Sequence, residues 1–211
     1  MEAQVGRRIR RERQRHGLTL RELAGRIGIS ASMLSQVETG RSHASVTTLY
    51  NLVQELDLAL EDLFEDERMP EHGPVDSPPV RRPGLRLDRD RPVERGCDRV
   101  RIQLETGVVW NRVAHLGTEA AHIMEVTYPP GSTSAEEGRF QQHEGIDFAY
   151  VLAGQLNLHL GFDTYILTPG DTAAFDAGEA HMLENSGTMD ARALWVVFRP
   201  CPDETGRPQW R

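Results

Sequence analysis

A chain of 211 residues has the length for one large domain or two small ones, and its net charge of −8 excludes a general polycation, so any surface for nucleic acid must be local. Two Cys are too few for a disulfide framework or a zinc knuckle. No leader is read ahead of the first helix and no apolar run approaches membrane length, so a cytoplasmic protein with no membrane partner is expected.

The charge is unevenly spread. Residues 1–41 hold nine Arg against four Glu, whereas residues 42–72 hold one Arg against eight acids. A basic face beside an acidic one suits phosphate binding in a defined orientation. Residues 2–16 read as an amphipathic helix, with Val5 and Ile9 inward and Arg7, Arg8, Arg11 and Arg15 outward. The most specific local signal follows at Leu18–Gly40, LTLRELAGRIGISASMLSQVETG. Thr19 and Glu22 have the spacing of a capping box, bracketed by Leu18 and Leu23 as a hydrophobic staple. Ala24 is small enough for a close helix crossing, and Gly28 can end the helix at positive φ. Ser30 caps the next helix, whose inward face is Leu34 and Val37. A helix, a short Gly turn and a second helix make a helix-turn-helix unit.

That stretch, together with the GRSHASVTTLYNLVQELDLALEDLF that follows, resembles the DNA-binding unit of the lambda repressor-like (Cro/C1, Xre-type) regulators over roughly residues 5–64. One departure is Leu20-Arg21, where these proteins often carry Gln. The resemblance implies an all-α domain, taken here as residues 1–69, and a double-stranded DNA operator as partner. It places a third helix, Ser30 to Glu38, in the major groove, presenting Ser30, Ala31, Ser32, Ser35 and Gln36. Gln36 is the only long bidentate side chain among them and matches the N6/N7 edge of adenine. Ala31 offers apolar contact, and Met33 either that or core packing. Arg41 is a phosphate candidate, and Thr19 and Arg21 complete the expected DNA-contacting set. The resemblance also implies that Arg13 pairs with Glu38 to tie the first helix to the third. An αα-hairpin of another helical domain, or a helix-turn-helix that has lost DNA binding, stands as the alternative. Ser45 starts a fourth helix with Leu49, Leu52, Val53 and Leu56 inward, and Leu60 to Phe64 closes the domain.

Residues 70–98 read as a linker, since six Pro between residues 69 and 95 and repeated Arg/Asp pairs leave little apolar material. Beyond Arg99 the period switches to two. Strands are expected at 107–115, 121–129, 148–152, 155–161, 164–168, 172–175 and 193–198, separated by Gly and Pro turns. Short antiparallel strands in such number indicate a sandwich or small barrel over 99–200, with 201–211 as a tail.

Two stretches of this region carry chemistry. FQQHEGIDFAYVLAGQLNLHLG holds Gln141, His143, Asp147 and Gly154; TPGDTAAFDAGEAHMLEN holds Gly170, Asp176, Gly178, His181 and Asn185. They resemble the paired motifs of the cupin family, which implies an all-β double-stranded β-helix (jelly-roll) barrel over roughly 105–199. In that family three His and a carboxylate hold a divalent metal. Here Gln141 stands at the first His position, leaving His143, Asp147 and His181 as the expected ligands, with Gln141 either a weak fourth or a hydrogen-bond donor to bound water or effector. Two imidazoles and a carboxylate also form the triad that leaves open positions on Fe(II). One divalent ion (Fe, Mn, Ni or Zn) and a metal-free pocket for a small-molecule effector both remain open, the effector lying in the barrel interior near Gln141, His143 and His181. His115, His122 and His159 are read as surface or packing residues, and Trp110, Trp195, Tyr128 and Phe148 as barrel packing.

The two resemblances imply a one-component transcriptional regulator that binds DNA as a homodimer through an N-terminal domain, senses a small molecule or metal in the cupin, and is no enzyme. The alternative is a mononuclear iron oxygenase: an epoxidase of phosphonate biosynthesis shares this two-part build. The Arg-rich first helix and the GRS segment favour the regulator. Two domains with separate cores are expected.

Overall fold

The computed structural model describes residues 2–58, 60–64, 93, 95, 96, 99–114, 121–135, 140–199, 201, 202, 208 and 209. The expected linker at 70–98 lies outside them except for Val93, Arg95 and Gly96, and so does His115.

Four helices open the chain: α1 (Glu2–Arg15), α2 (Leu20–Ile27), α3 (Ala31–Glu38) and α4 (Val46–Glu55), followed by a 3-10 turn at Leu60–Phe64. Their limits follow from local chemistry. The Thr19 hydroxyl accepts the Glu22 N–H, and the Glu22 carboxylate accepts the Thr19 N–H at 2.7 Å, which closes the expected capping box. Gly28 ends α2 at φ 76°, donating its N–H to the Ala24 carbonyl. Ser30 and Ser45 cap α3 and α4 by accepting the N–H groups of Met33 and Thr48. Ile9, Leu23, Leu34, Leu49, Leu52 and Leu56 fill the space between the helices, each at most 1% exposed.

Two contacts fix α1 against α3. Arg13 donates to both carboxylate oxygens of Glu38, at 2.6 and 2.9 Å, and to the Leu18 carbonyl at 2.7 Å. This bidentate pair is buried and ties the first helix to the third, as the family resemblance implies. Gly6, which the sequence reading passed over, lets the two backbones meet: a Cβ there would stand 2.2 Å from the Val37 carbonyl oxygen.

Eleven strands follow among the described residues: β1 (Arg101–Gln103), β2 (Val109–Ala114), β3 (Ala121–Tyr128), β4 (Ile146–Ala153), β5 (Leu156–Leu160), β6 (Asp163–Leu167), β7 (Thr172–Asp176), β8 (His181–Glu184), β9 (Ala191–Phe198), β10 (Cys201–Pro202) and β11 (Pro208–Gln209). All seven expected strands are present. β1 and β8 were not expected, being too short to display a period of two. A six-stranded antiparallel sheet runs β1-β2-β3-β9-β4-β7 and a three-stranded one β6-β5-β8, while β10 and β11 pair within the expected tail. Alternation along β3 buries His122, Met124, Val126 and Tyr128. With Leu156, Leu158 and Leu183 of the smaller sheet they line the interior of an all-β cupin-like sandwich. Gly154 turns β4 into β5 at φ 74°, where a Cβ would stand 2.6 Å from Ala191 Cα.

The expectation of separate cores is corrected. One hydrophobic cluster joins the helices to the sandwich, running through Val46 and Tyr50 of α4 to Trp110 and Met124. The Glu105 N–H donates to the Ala44 carbonyl at 3.2 Å, and Arg112 donates to the Phe64 carbonyl at 3.4 Å. The physical reason lies in α4, which has two apolar stripes. Leu49, Leu52, Val53 and Leu56 serve the helical core, and Val46 and Tyr50, four residues apart, serve the sandwich.

Gly6→Ala is expected to destabilise the full chain by about 1–3 kcal/mol, the usual range for overpacking a tight contact. Urea unfolding followed by helical circular dichroism measures it; a midpoint unchanged from the parent chain would show that the α1–α3 crossing is loose.

Candidate functional site

The pocket inside the sandwich is built from three elements. His143 sits in the loop before β4, Asp147 is the second residue of β4, and His181 opens β8. β4 alternates, so Asp147 points inward beside Ala149 and Val151. His181 is brought opposite Gln141 by a pair of backbone hydrogen bonds, N–H to carbonyl in each direction at 2.8 and 3.0 Å. His143, Asp147 and His181 are 8%, 2% and 1% exposed, and one ligand atom from each lies within 4.8 Å of the other two.

Each side chain has a distinct support. His181 Nδ1 lies 2.9 Å from the Glu179 carbonyl, which can only accept, so the proton is on Nδ1 and the Nε2 lone pair faces the pocket. Burial pushes the His181 imidazole below its ordinary pKa, against the Glu179 carbonyl and the Asp147 charge, which raise it. Asp147 Oδ2 accepts the Trp195 indole N–H at 3.1 Å and lies 3.5 Å from His143 Nε2 and 3.8 Å from His181 Nε2. Its other oxygen, Oδ1, is buried with no hydrogen-bond partner. Gln141 lines the same cavity, but its amide nitrogen donates to the Ser134 carbonyl. Burial, reinforced by the Asp147 charge, raises the hydroxyls of Tyr50 and Tyr128 above their ordinary value, so both remain protonated.

These residues fit a divalent ion. Bond lengths near 2.1 Å put ligand atoms about 3.4 Å apart around a tetrahedral centre, close to the 3.5 and 3.8 Å separations seen here. Those separations belong to Asp147 Oδ2; with Oδ1 buried and without a donor, the carboxylate is short of compensation that a cation at Oδ2 would supply. The walls are apolar: Val46, Tyr50, Trp110, Met124, Val126, Tyr128, Leu183 and Trp195. The cavity measures about 20 Å³, room for one water.

On the helical side, α3 presents Ser32 and Gln36 exposed, with Ser30 at its N-cap and Arg41 just beyond its end, also exposed. Thr19 and Arg21 are exposed at the start of α2, while Ala31 and Ser35 are half-buried and Ala31 packs partly on the core. The oxygens of Thr19 and Ser30 are each engaged in a cap. The outward Arg stripe of α1 is less open than expected. Glu12, 5% exposed, pairs with Arg15 at 2.9 Å and Arg11 at 3.6 Å, and Arg8 lies 3.9 Å from Asp62.

Comparison with known proteins agrees with both halves. A helix-turn-helix family model matches residues 9–63 and a cupin domain model matches residues 124–197. The HTH-type transcriptional regulator PuuR of Escherichia coli is 27% identical over 189 residues, spanning 90% of this chain and 91% of that protein. The chain belongs to the helix-turn-helix transcriptional regulators that carry a cupin domain. The cupin half is also 31% identical over 93 residues to the oxalate-binding protein of Thermotoga maritima, covering 41% of this chain and 74% of that one. In fold, the regulator matches an HTH_3 family transcriptional regulator from Vibrio cholerae at a TM-score of 0.61 and 18% identity, over 95% of this chain and 97% of that one.

The three candidate metal ligands that the cupin resemblance implies thus stand together in one cavity of this regulator. The sequence reading missed Tyr50 and Trp195 as parts of the site. Trp195 was read as packing, yet it donates to Asp147. Trp110 and Tyr128 also wall the pocket, whereas Phe148, at an alternate position of β4, does not line it. For Tyr50 a signal existed: with Val46 it makes an apolar i, i+4 pair off the stripe that serves the helical core. His122 is buried, consistent with packing, and His159 pairs with Glu184 at 3.2 Å. Asn185 is structural, its amide donating to the Tyr128 and Met189 carbonyls at 2.7 and 2.8 Å.

Proposed function

We propose that this regulator binds an operator through α3 as a homodimer and changes its operator affinity when the cupin pocket is occupied. The observation that carries the reading is the placement of an exposed recognition helix on the same helical body whose α4 walls the pocket. Gln36 reads a base edge, Arg41 and Arg21 neutralise phosphates, and Ser30, Ser32, Ser35, Ala31 and Thr19 complete the contact surface.

In the pocket, His143, Asp147 and His181 would hold one divalent ion (Fe, Mn, Ni or Zn), with Gln141 beside them as a polar wall. When bound, the ion supplies a positive, Lewis-acidic point at the cavity floor that accepts an anionic or lone-pair group of a small effector. We read the pocket as a sensor and not a catalytic centre, because the chain that carries it is built as a DNA-binding regulator from end to end. The iron-oxygenase reading would require iron-dependent turnover coupled to oxygen consumption.

The dimer follows from both ends of the molecule. Operators of this class present two half-sites about one helical turn apart. The outer face of the six-stranded sheet carries exposed apolar side chains: Ile146, Tyr150, Leu152 and Phe198 are 37%, 39%, 42% and 43% exposed. Ile146 is paired with Phe198 and Tyr150 with Leu194 across β4 and β9, so these side chains form one patch. A second copy of the chain is its expected cover, with symmetric contacts.

Three outcomes are expected. Gln36→Ala loses about 1–3 kcal/mol at the operator and relaxes preference at one base pair, while Arg41→Ala weakens all sequences alike and flattens the salt dependence. Gel shifts with the protein's own promoter region measure both, and an unchanged affinity for Gln36→Ala would remove Gln36 from base readout. Purified without chelator and reconstituted with Fe(II), Mn(II), Ni(II) or Zn(II), the full chain takes up one ion and His181→Ala takes up none. Elemental analysis decides, and no stoichiometric uptake by the parent chain would leave an organic-ligand cavity. Sedimentation of the full chain gives a dimer that Tyr150→Asp converts to monomer at micromolar concentration, in the range of typical specific interfaces; a dimer unaffected by Tyr150→Asp would move the interface elsewhere.

A further inference from the structure

Tyr50 belongs to the DNA-binding helices and stands in the sensor pocket. Its ring lies parallel to the His143 imidazole, with centroids 4.5 Å apart and planes 13° off, and edge-on to Trp110 at 6.2 Å and 67°. Two observations separate this contact from ordinary packing. The first concerns how each imidazole is held. His181 has a 2.9 Å hydrogen bond from Nδ1 to the Glu179 carbonyl, whereas the nearest equivalent for His143, the Glu144 carbonyl, lies 3.5 Å away. A bond that long holds a ring weakly, Asp147 Oδ2 stands no closer at 3.5 Å from Nε2, and His181 meets the ring edge-on, so Tyr50 supplies the parallel contact that restrains the face of His143.

The second concerns space. With Tyr50 in place the cavity measures about 20 Å³, enough for one water and too little for an organic molecule. Tyr50 is 7% exposed and Val46, one turn earlier on α4, walls the same cavity. α4 therefore closes the pocket with two side chains. Neither can withdraw far without moving the helix, because Leu49, Leu52 and Val53 of the same helix are 1% exposed or less in the helical core.

We propose that Tyr50 is a latch shared by the two halves of the molecule: it seats His143 and fills the place that an organic effector must take, so that effector binding and release of the DNA-binding helices are one event. The proposal rests on the sensing reading given above. It also defines the occupant by its chemistry: a flat or apolar body to replace the phenol ring against Trp110 and His143, and one polar end for the floor of Gln141, His143, Asp147 and His181.

Imidazole has both parts and is the probe. The full chain is loaded with Co(II), whose visible spectrum reports its ligands, and titrated with imidazole with and without an operator duplex. Tyr50→Leu, which keeps apolar volume but not the stack, binds imidazole at least tenfold more tightly than the parent chain, and Tyr50→Phe restores the parent behaviour. Duplex shifts the imidazole affinity of the parent chain several-fold and leaves that of Tyr50→Leu unchanged, because coupling between two sites is reciprocal. Equal imidazole affinity in the parent chain and Tyr50→Leu overturns the latch, and so does an equal duplex effect in both. A chain that takes up no Co(II) removes the metal from the sensing reading but still decides the latch by hydrogen exchange. Amides of residues 141–147 then exchange at least tenfold faster in Tyr50→Leu than in Tyr50→Phe, and equal exchange overturns the latch.

Discussion

A carboxylate sealed inside a barrel is the constraint around which the second half of this chain is arranged. Asp147 is 2% exposed, and burial of an ionised carboxylate is tolerated only when its oxygens are met by donors or cations. One oxygen accepts an indole N–H from Trp195 on the neighbouring strand, and the other meets nothing. Two imidazoles stand within 3.8 Å. A hydrophobic core has no reason to keep this arrangement; a binding site does. The apolar shell around it, from Met124 to Leu183, lowers the local dielectric and strengthens whatever charge interaction the floor makes.

The same sandwich separates the residues of the family motif that could hold a metal from those that serve as framework. Gly154 is required because Ala191 passes too close for a side chain, and Asn185 because its amide gathers the Tyr128 and Met189 carbonyls. Asp176 holds its own turn by accepting the Gly178 N–H at 2.8 Å. Among the described residues, His143, Asp147 and His181 bring one ligand atom each within 4.8 Å of one another. Gln141 keeps the position of a ligand while its amide nitrogen serves the Ser134 carbonyl, so its remaining contribution to the cavity is the polarity of its oxygen side.

Legibility in the sequence followed the range of the interaction. The capping box of Thr19 and Glu22, the Gly28 turn and the period-two strands are local, and residues a few positions apart decide them. The Arg13–Glu38 pair spans 25 residues and was accessible only through family resemblance. β1 and β8 are three and four residues long, too short for alternation to register, although β8 carries His181. The stack of Tyr50 on His143 joins positions 93 apart in two different domains. Nothing local encodes that contact except the surplus apolar stripe of Val46 and Tyr50, which says that α4 has a second neighbour without saying which.

That second stripe also determines how a change in the barrel could reach DNA. A ligand shifts an equilibrium only by its differential affinity for the two states, and proximity alone supplies none. In the proposed latch the two states would differ by a single steric condition: the Tyr50 ring, which stacks on His143, and an effector cannot both lie there. The helical core travels as a unit, since Leu49 and Leu52 pack among Leu23, Leu34 and Ile9 and the Arg13–Glu38 pair locks α1 to α3. Displacing α4 therefore reorients α3 with it. In the proposed dimer, whose two recognition helices would have to match half-sites about one turn of DNA apart, a small rotation of each helical body would suffice to lose register. The tightness of the helical core, which looks like a matter of stability alone, is thus what would turn occupancy of a one-water cavity into a change of operator affinity.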